Sequence, residues 1–140
     1  MRFMLLMLPG EYDSGPTDVE AMRAMGRLNE EMQKAGVLLD LNGLHPTNEG
    51  ARVSFKGGKP TVTDGPFAES KEVVGGYWII QVKSRAEAIE WASRCPASDT
   101  STIEIRQIFE FNEVPAEFQE LAATGEFPEM KARRERLSTS

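Results

Sequence analysis

His45 is the only histidine in the chain and stands between Leu44 and Pro46. Imidazole is the side chain best suited to accept and return a proton near neutral pH, and a carboxylate partner fixes its tautomer. The natural candidate partner opens the run Asp64-Gly65-Pro66-Phe67-Ala68-Glu69-Ser70-Lys71-Glu72, which packs a turn, an aromatic ring and four charged side chains into nine residues. Asp-Gly-Pro is turn chemistry, because glycine tolerates positive φ and proline fixes its own φ and has no N–H. A His45–Asp64 dyad would serve as a cofactor-free acid/base pair; the plainer reading is a turn-stabilising aspartate and an exposed histidine. Arg52 offers a fork of donors for an anionic substrate group, or else a surface ion pair with Glu69 or Glu72. Glu69 and Lys71 carry the same two readings. Phe67 reads as the anchor of its loop. Tyr77 either lines a cleft or belongs to the core or an interface with its hydroxyl at the rim.

Other chemistries find no support. One histidine and one cysteine do not make a typical zinc site, so no metal is expected. No Gly-x-Gly-x-x-Gly, P-loop or Gly-x-Ser-x-Gly pattern occurs, and no cofactor is expected. Gly75-Gly76 precedes a strand rather than a helix, which disqualifies it as a phosphate cradle. Cys95 sits before Pro96 at a helix C-terminus, where the dipole disfavours a thiolate, and reads as structural. A single cysteine also excludes an intramolecular disulfide and suits a reducing compartment. The net charge of −6 argues against a nucleic-acid surface across the whole fold. Met1 to Leu8 is too short for a signal-peptide core, and no run approaches a membrane span. The expected setting is cytoplasmic.

The elements that must position these residues are legible from periodicity. Phe3 to Leu8 is a continuous apolar run stopped by Pro9-Gly10, as in a central strand. Thr17 with Glu20 gives a capping box, followed by a helical stripe of Val19, Met22, Met25, Leu28, Met32 and Ala35 that closes at Gly36. Val37-Leu38-Leu39 opens a second strand towards Leu44-His45-Pro46. Arg52 to Phe55 and Thr61 to Thr63 alternate around Gly57-Gly58 and predict a hairpin with a tight two-residue turn. Pairing Lys56 with Lys59 sets Val53 opposite Val62 and Ala51 opposite Asp64, which returns Asp64 to within a short loop of His45. Tyr77 to Lys83 is the next strand, with Trp78, Ile80 and Val82 on one face. Ser84 and Glu87 cap a helix whose buried face is Ala88, Ile89, Ala92 and Cys95. Thr102 to Phe109 is the last strand.

Two βαβ halves with a hairpin inserted between them predict an α+β, ferredoxin-like βαββαβ sandwich whose helices lie on one face of an antiparallel sheet. The uncovered face carries apolar residues too, so a homodimer packed sheet to sheet is expected. The domain is taken as residues 1–111. Residues 112–140 form a helical, partly basic tail with Phe118 and Leu121, then Lys131, Arg133, Arg134 and Arg136. A solvated tail is favoured there over a nucleic-acid contact, because stacking aromatics are missing.

The run from Asp64 to Glu72 resembles the YCII-related family, in its branch named after the Asp-Gly-Pro-Phe motif. Gly76-Tyr77, Glu87-Ala88-Ile89-Glu90-Trp91-Ala92, Cys95-Pro96, Leu44-His45-Pro46, Val53 and Glu104-Ile105-Arg106 fit the same pattern, over about Met1 to Phe109. Ser70 departs from it, standing where many relatives carry threonine. The resemblance implies a dimeric α+β barrel of ferredoxin-like subunits with His45 and Asp64 facing a cleft, and it brings a suspicion of enzymatic activity without an assigned reaction. Some members are associated with sigma factors of the extracytoplasmic-function type. Two functional expectations follow. In one, the cleft of a homodimer binds a small polar or anionic molecule: His45 acts as acid or base, Asp64 orients it and Arg52 or Lys71 holds the ligand, in an isomerase- or lyase-type proton transfer suggested by fold analogy. In the other, a non-catalytic regulator uses the Asp64–Glu72 loop or the basic tail to contact a protein such as a sigma factor.

Overall fold

Alternation along two central strands organises the first part of the molecule. The computed structural model of the chain describes residues 1–10, 18–67 and 73–138. The chain divides into two compact units, Met1–Gln107 and Ile108–Ser140. In the first, strands β1 (Arg2–Leu8), β2 (Leu38–Gly43), β5 (Gly76–Gln81) and β6 (Thr102–Gln107) form one sheet in the order β2-β5-β1-β6, while β3 (Ala51–Ser54) and β4 (Thr61–Asp64) pair separately. All neighbouring strands are antiparallel. Since β1 and β2 both oppose β5, they run parallel to one another, and a helical crossover has to join them. Helix α1 (Val19–Lys34) is that crossover, and α2 (Arg85–Ser93) joins β5 to β6. The unit is therefore α+β with an antiparallel sheet, compatible with a ferredoxin-like fold.

Phe3 pairs with Ile80 and Leu5 with Trp78, and all four side chains are buried. Leu28 and Met32 of α1 and Ala88 and Trp91 of α2 close over them, with Ile103 and Ile105 of β6 packed alongside. The intervening residues Met4, Leu6, Leu8, Tyr77 and Ile79 fall on the opposite face of the sheet and are half-buried. The buried indole of Trp78 is tied to α1, its Nε1 donating to Asn29 Oδ1 at 2.8 Å.

Local chemistry sets the helix ends. The α1 N-cap is Asp18, whose carboxylate accepts from Glu20 N at 3.0 Å, and this replaces the Thr17 cap expected from the Ser/Thr-x-x-Glu pattern. Aspartate caps as well as threonine does, and Asp18 needs no reciprocal glutamate to do so. At the other end Gly36 N bonds Gln33 O and Val37 N bonds Met32 O, with Gly36 at φ +73°. This is a Schellman closure that turns the chain directly into β2. The first turns of the α1 stripe do not reach the core: Val19 and Met22 remain exposed, and the helix is anchored through Leu28 and Met32. In α2 the buried face is Ala88 and Trp91; Ile89, expected inside, is exposed at its edge. Ser84 Oγ accepts from Glu87 N, as the capping pattern requires, and the Glu87 carboxylate accepts from Lys83 N.

The second unit contains a 3-10 turn at Phe111–Glu113 and helices α3 (Ala116–Ala123) and α4 (Pro128–Ser138). Gln119 Nε2 donates to Val114 O at 2.8 Å and fastens α3 to the segment before it. The Arg134 guanidinium stands 5.2 Å from the Phe111 ring centroid. Among the described residues, no helix is long and apolar enough to cross a membrane.

Replacing Asn29 by Ala leaves the Trp78 indole N–H buried without its acceptor. The expected cost is about 1–3 kcal/mol of stability, read from the urea midpoint. An unchanged midpoint would show that the sheet and α1 do not depend on this bond.

Candidate functional site

The segment between β2 and β3 turns sharply because Pro46 starts a single 3-10 turn, Thr47–Glu49, closed by Gly50 N bonding Thr47 O at 3.0 Å. The turn folds Glu49 back towards the residue that precedes Pro46. His45 Nδ1 accordingly lies 2.9 Å from Glu49 Oε2. An ionised carboxylate only accepts, so this contact favours the neutral tautomer with its proton on Nδ1 and the lone pair on Nε2. The imidazole is open to solvent, with 86% of its side-chain surface accessible.

Leu44 N bonds Gly75 O at 2.9 Å, and Gly75 N bonds Met7 O at 2.7 Å. These bonds fasten the start of the His45 segment to the end of the main sheet. On its other side the segment meets the loop after β4. The hairpin register is Ala51 with Asp64, Arg52 with Thr63, Val53 with Val62 and Ser54 with Thr61, as read from the sequence. The turn differs from the one expected. The ladder stops at Ser54 and Thr61, and Phe55 to Pro60 form a wider connection around a 3-10 turn, Lys56–Gly58. Gly57 and Gly58 both adopt positive φ, at +72° and +80°, but Gly58 N bonds Phe55 O, which draws Lys56 out of strand pairing.

Past Asp64, Gly65 N bonds Gly50 O at 3.0 Å. A β-carbon at Gly65 would overlap the Thr47 carbonyl, so only glycine allows the two segments to meet. Gly65 does not occupy the left-handed region; its requirement is space, not the positive φ suggested by Asp-Gly-Pro. The Gly65–Pro66 bond is cis, and it leads to Phe67, over whose ring the Arg52 guanidinium stacks at 3.9 Å from the centroid. A cation–π contact at a partly exposed site contributes about 0.5–1 kcal/mol. It ties the Phe67 loop to β3.

The structure thus draws together the His45 turn, the Asp64–Phe67 loop and Arg52. His45 pairs with Glu49 and makes no hydrogen bond to Asp64, which is exposed at the end of β4. Glu49 was missed in the sequence, although His-Pro-x-x-Glu around a proline-started turn is a readable signal. Glu69 and Lys71 lie outside the described residues. Tyr77 sits on the sheet face opposite the helices, where Asn42 Nδ2 donates to its Oη at 2.9 Å and Oη donates to Asp40 Oδ2 at 3.3 Å. No group of three or more His, Cys, Asp or Glu side chains suited to a metal ion occurs among the described residues. A separate shallow depression of about 380 Å³ between α2 and β6 is lined by Ile89, Ala92, Cys95, Ile103 and Ile105. Burial pushes the Cys95 thiol up to about 11, so it stays protonated at neutral pH and is no nucleophile there.

The Gly65 contact has a direct test in two alanine variants. Gly65→Ala is expected to lower stability by more than about 1 kcal/mol and to shift the amide resonances of Thr47 to Gly50. Gly43→Ala, where a β-carbon meets no atom within 4 Å, should change stability by less than about 0.5 kcal/mol. Equal effects at the two positions would refute the docking.

Residues 1–112 match the family model described as the YCII-related domain. Over 85 residues the chain is 33% identical to an uncharacterized protein of Rhizobium meliloti (strain 1021), a stretch covering 61% of this chain and 68% of that protein. The chain belongs to the YCII-related family.

Proposed function

We propose that the protein is a homodimer that binds a small polar or anionic molecule beside the Thr47–Gly65 contact and moves a proton on it, with His45 Nε2 as the acid/base atom. The observation that carries this reading is the 2.9 Å bond from His45 Nδ1 to Glu49 on an otherwise open imidazole. It leaves Nε2 free for a ligand and gives Glu49 the orienting part first attributed to Asp64. Asp64 then acts from the neighbouring loop as a second polar contact to the ligand. Arg52, stacked on Phe67, lies beside this loop, and Glu69, Lys71 and Tyr77 complete the set of proposed ligand contacts. A general acid/base of this kind contributes about 10²–10⁴-fold to rate and asks for no cofactor. The homodimer is supported by the sheet face bearing Met4, Leu6, Leu8, Tyr77 and Ile79, which neither α1 nor α2 covers. Two such faces in contact would build the α+β barrel.

The regulatory reading also has an observation in its favour. His45, Arg52 and Asp64 are all exposed, as residues of a protein-docking surface would be.

Small carboxylates, lactones and keto acids screened by ligand-observed NMR in D₂O separate the two readings. Proton transfer predicts deuterium incorporation into a bound ligand, falling at least about 100-fold in His45→Ala and less in Glu49→Gln. The exposed position of His45 means the melting temperature should hold in both variants. Full exchange in His45→Ala would exclude the catalytic role. Capture of a sigma factor through the exposed segment, with no ligand exchanged, would favour regulation.

A further inference from the structure

The β3–β4 hairpin buries almost nothing. Every residue of its two strands is exposed, and a lone two-stranded ribbon is marginal in water. Val53 and Val62 face one another across the ladder and remain 52% and 64% exposed. Phe55, two residues beyond Val53 at the mouth of the turn, is 70% exposed. An apolar cross-strand pair and an aromatic ring left in water on one short element form an unpartnered patch.

The charge of the element says what covers it. From Ala51 to Asp64 the hairpin carries Arg52, Lys56 and Lys59 against one carboxylate, Asp64 at its root. The whole chain carries −6 and the hairpin +2, so the remainder carries −8. Arg52 is engaged with Phe67. Lys56 and Lys59, at the tip, make no ion pair among the described residues. Two such hairpins would repel one another tip to tip, whereas the acidic body of the same protein attracts them.

We propose that the β3–β4 hairpin is an arm that docks on the body of a second copy of this chain, with Val53, Phe55 and Val62 in apolar contact and Lys56 and Lys59 meeting carboxylates. The inference rests on the homodimer reading above and deepens it by naming the element that grips the partner. Gly57 and Gly58 keep the tip slim enough to lie on another surface. The arm is rooted at the Ala51–Asp64 pair, so docking carries the second copy towards the rim of the His45 site.

Sedimentation equilibrium of the full chain tests it, using Phe55→Ser/Val62→Ser and Lys56→Glu/Lys59→Glu. All four positions are exposed, and unchanged circular dichroism is expected. Both variants should raise the dimer dissociation constant at least about tenfold, since each removes contacts that the arm makes only in the dimer. The wild-type constant should rise with salt, and the lysine variant should lose most of that dependence. Amide exchange on the wild type serves as a check free of substitutions: protection from Ala51 to Asp64 should increase with protein concentration. A dimer constant unchanged in both variants, with no concentration-dependent protection, overturns the arm and leaves the homodimer standing. A wild-type chain that stays monomeric at every concentration overturns both. Wild-type binding to an oligonucleotide or to anionic vesicles that the lysine variant abolishes, with dimerisation unaffected, also overturns the proposal and reassigns the patch.

Discussion

The α-carbon of Gly65 lies against the Thr47 carbonyl with no room for a β-carbon, and both polar segments of the site take their positions from this contact. On one side, Thr47 belongs to the turn that holds Glu49 against His45. On the other, Gly65 follows the last paired residue of β4 and leads through Pro66 to Phe67 under Arg52. Backbone carries the join, through Gly65 N to Gly50 O, so the geometry does not depend on long side chains holding a conformation. A loop fastened in this way can present polar groups in fixed positions while remaining open to solvent.

That join has to be mounted on something rigid. The mounting is the pair of backbone bonds linking Leu44 to Gly75 and Gly75 to Met7, which ties the His45 segment to the ends of β2, β5 and β1. The strands are held in turn by the alternation that buries Phe3, Leu5, Trp78 and Ile80 beneath α1 and α2. The same alternation places Met4, Leu6, Tyr77 and Ile79 on the other face. Burial on one side and a half-buried apolar surface on the other follow from one period-two pattern, with no special residue needed for either. The site therefore draws its positional stability from a core to which it contributes almost no buried surface.

The elements themselves were legible in the sequence for physical reasons. The unbroken apolar run from Phe3 to Leu8 suits a strand in the middle of a sheet, and β1 lies between β5 and β6. The hairpin register followed from centring the turn on Gly57-Gly58, which sets Val53 opposite Val62. What could not be read is what depends on close approach or on competition between local partners. Asp-Gly-Pro suggested a glycine chosen for positive φ, whereas Gly65 is required by a neighbouring carbonyl that is distant in sequence. Strand register brought Asp64 towards His45, but a nearer acceptor, Glu49, reached the imidazole through a single helical turn, which involves a much shorter loop closure. Val19 and Met22 fitted the α1 stripe yet stay in water, because periodicity reports which side of a helix is apolar and not how far the sheet extends beneath it. The turn at Gly57-Gly58 widened because Phe55 O captured Gly58 N before strand pairing could reach Lys56 and Lys59.

The central claim is that Glu49 holds His45 with the proton on Nδ1 and leaves Nε2 available for chemistry. The chain has one histidine, so a long-range ¹H–¹⁵N correlation spectrum reads its tautomer without ambiguity of assignment. In the neutral ring the account predicts a protonated Nδ1 and an unprotonated Nε2, with Glu49→Gln weakening that preference. A wild-type spectrum dominated by the Nε2–H form, unchanged by Glu49→Gln, would contradict it.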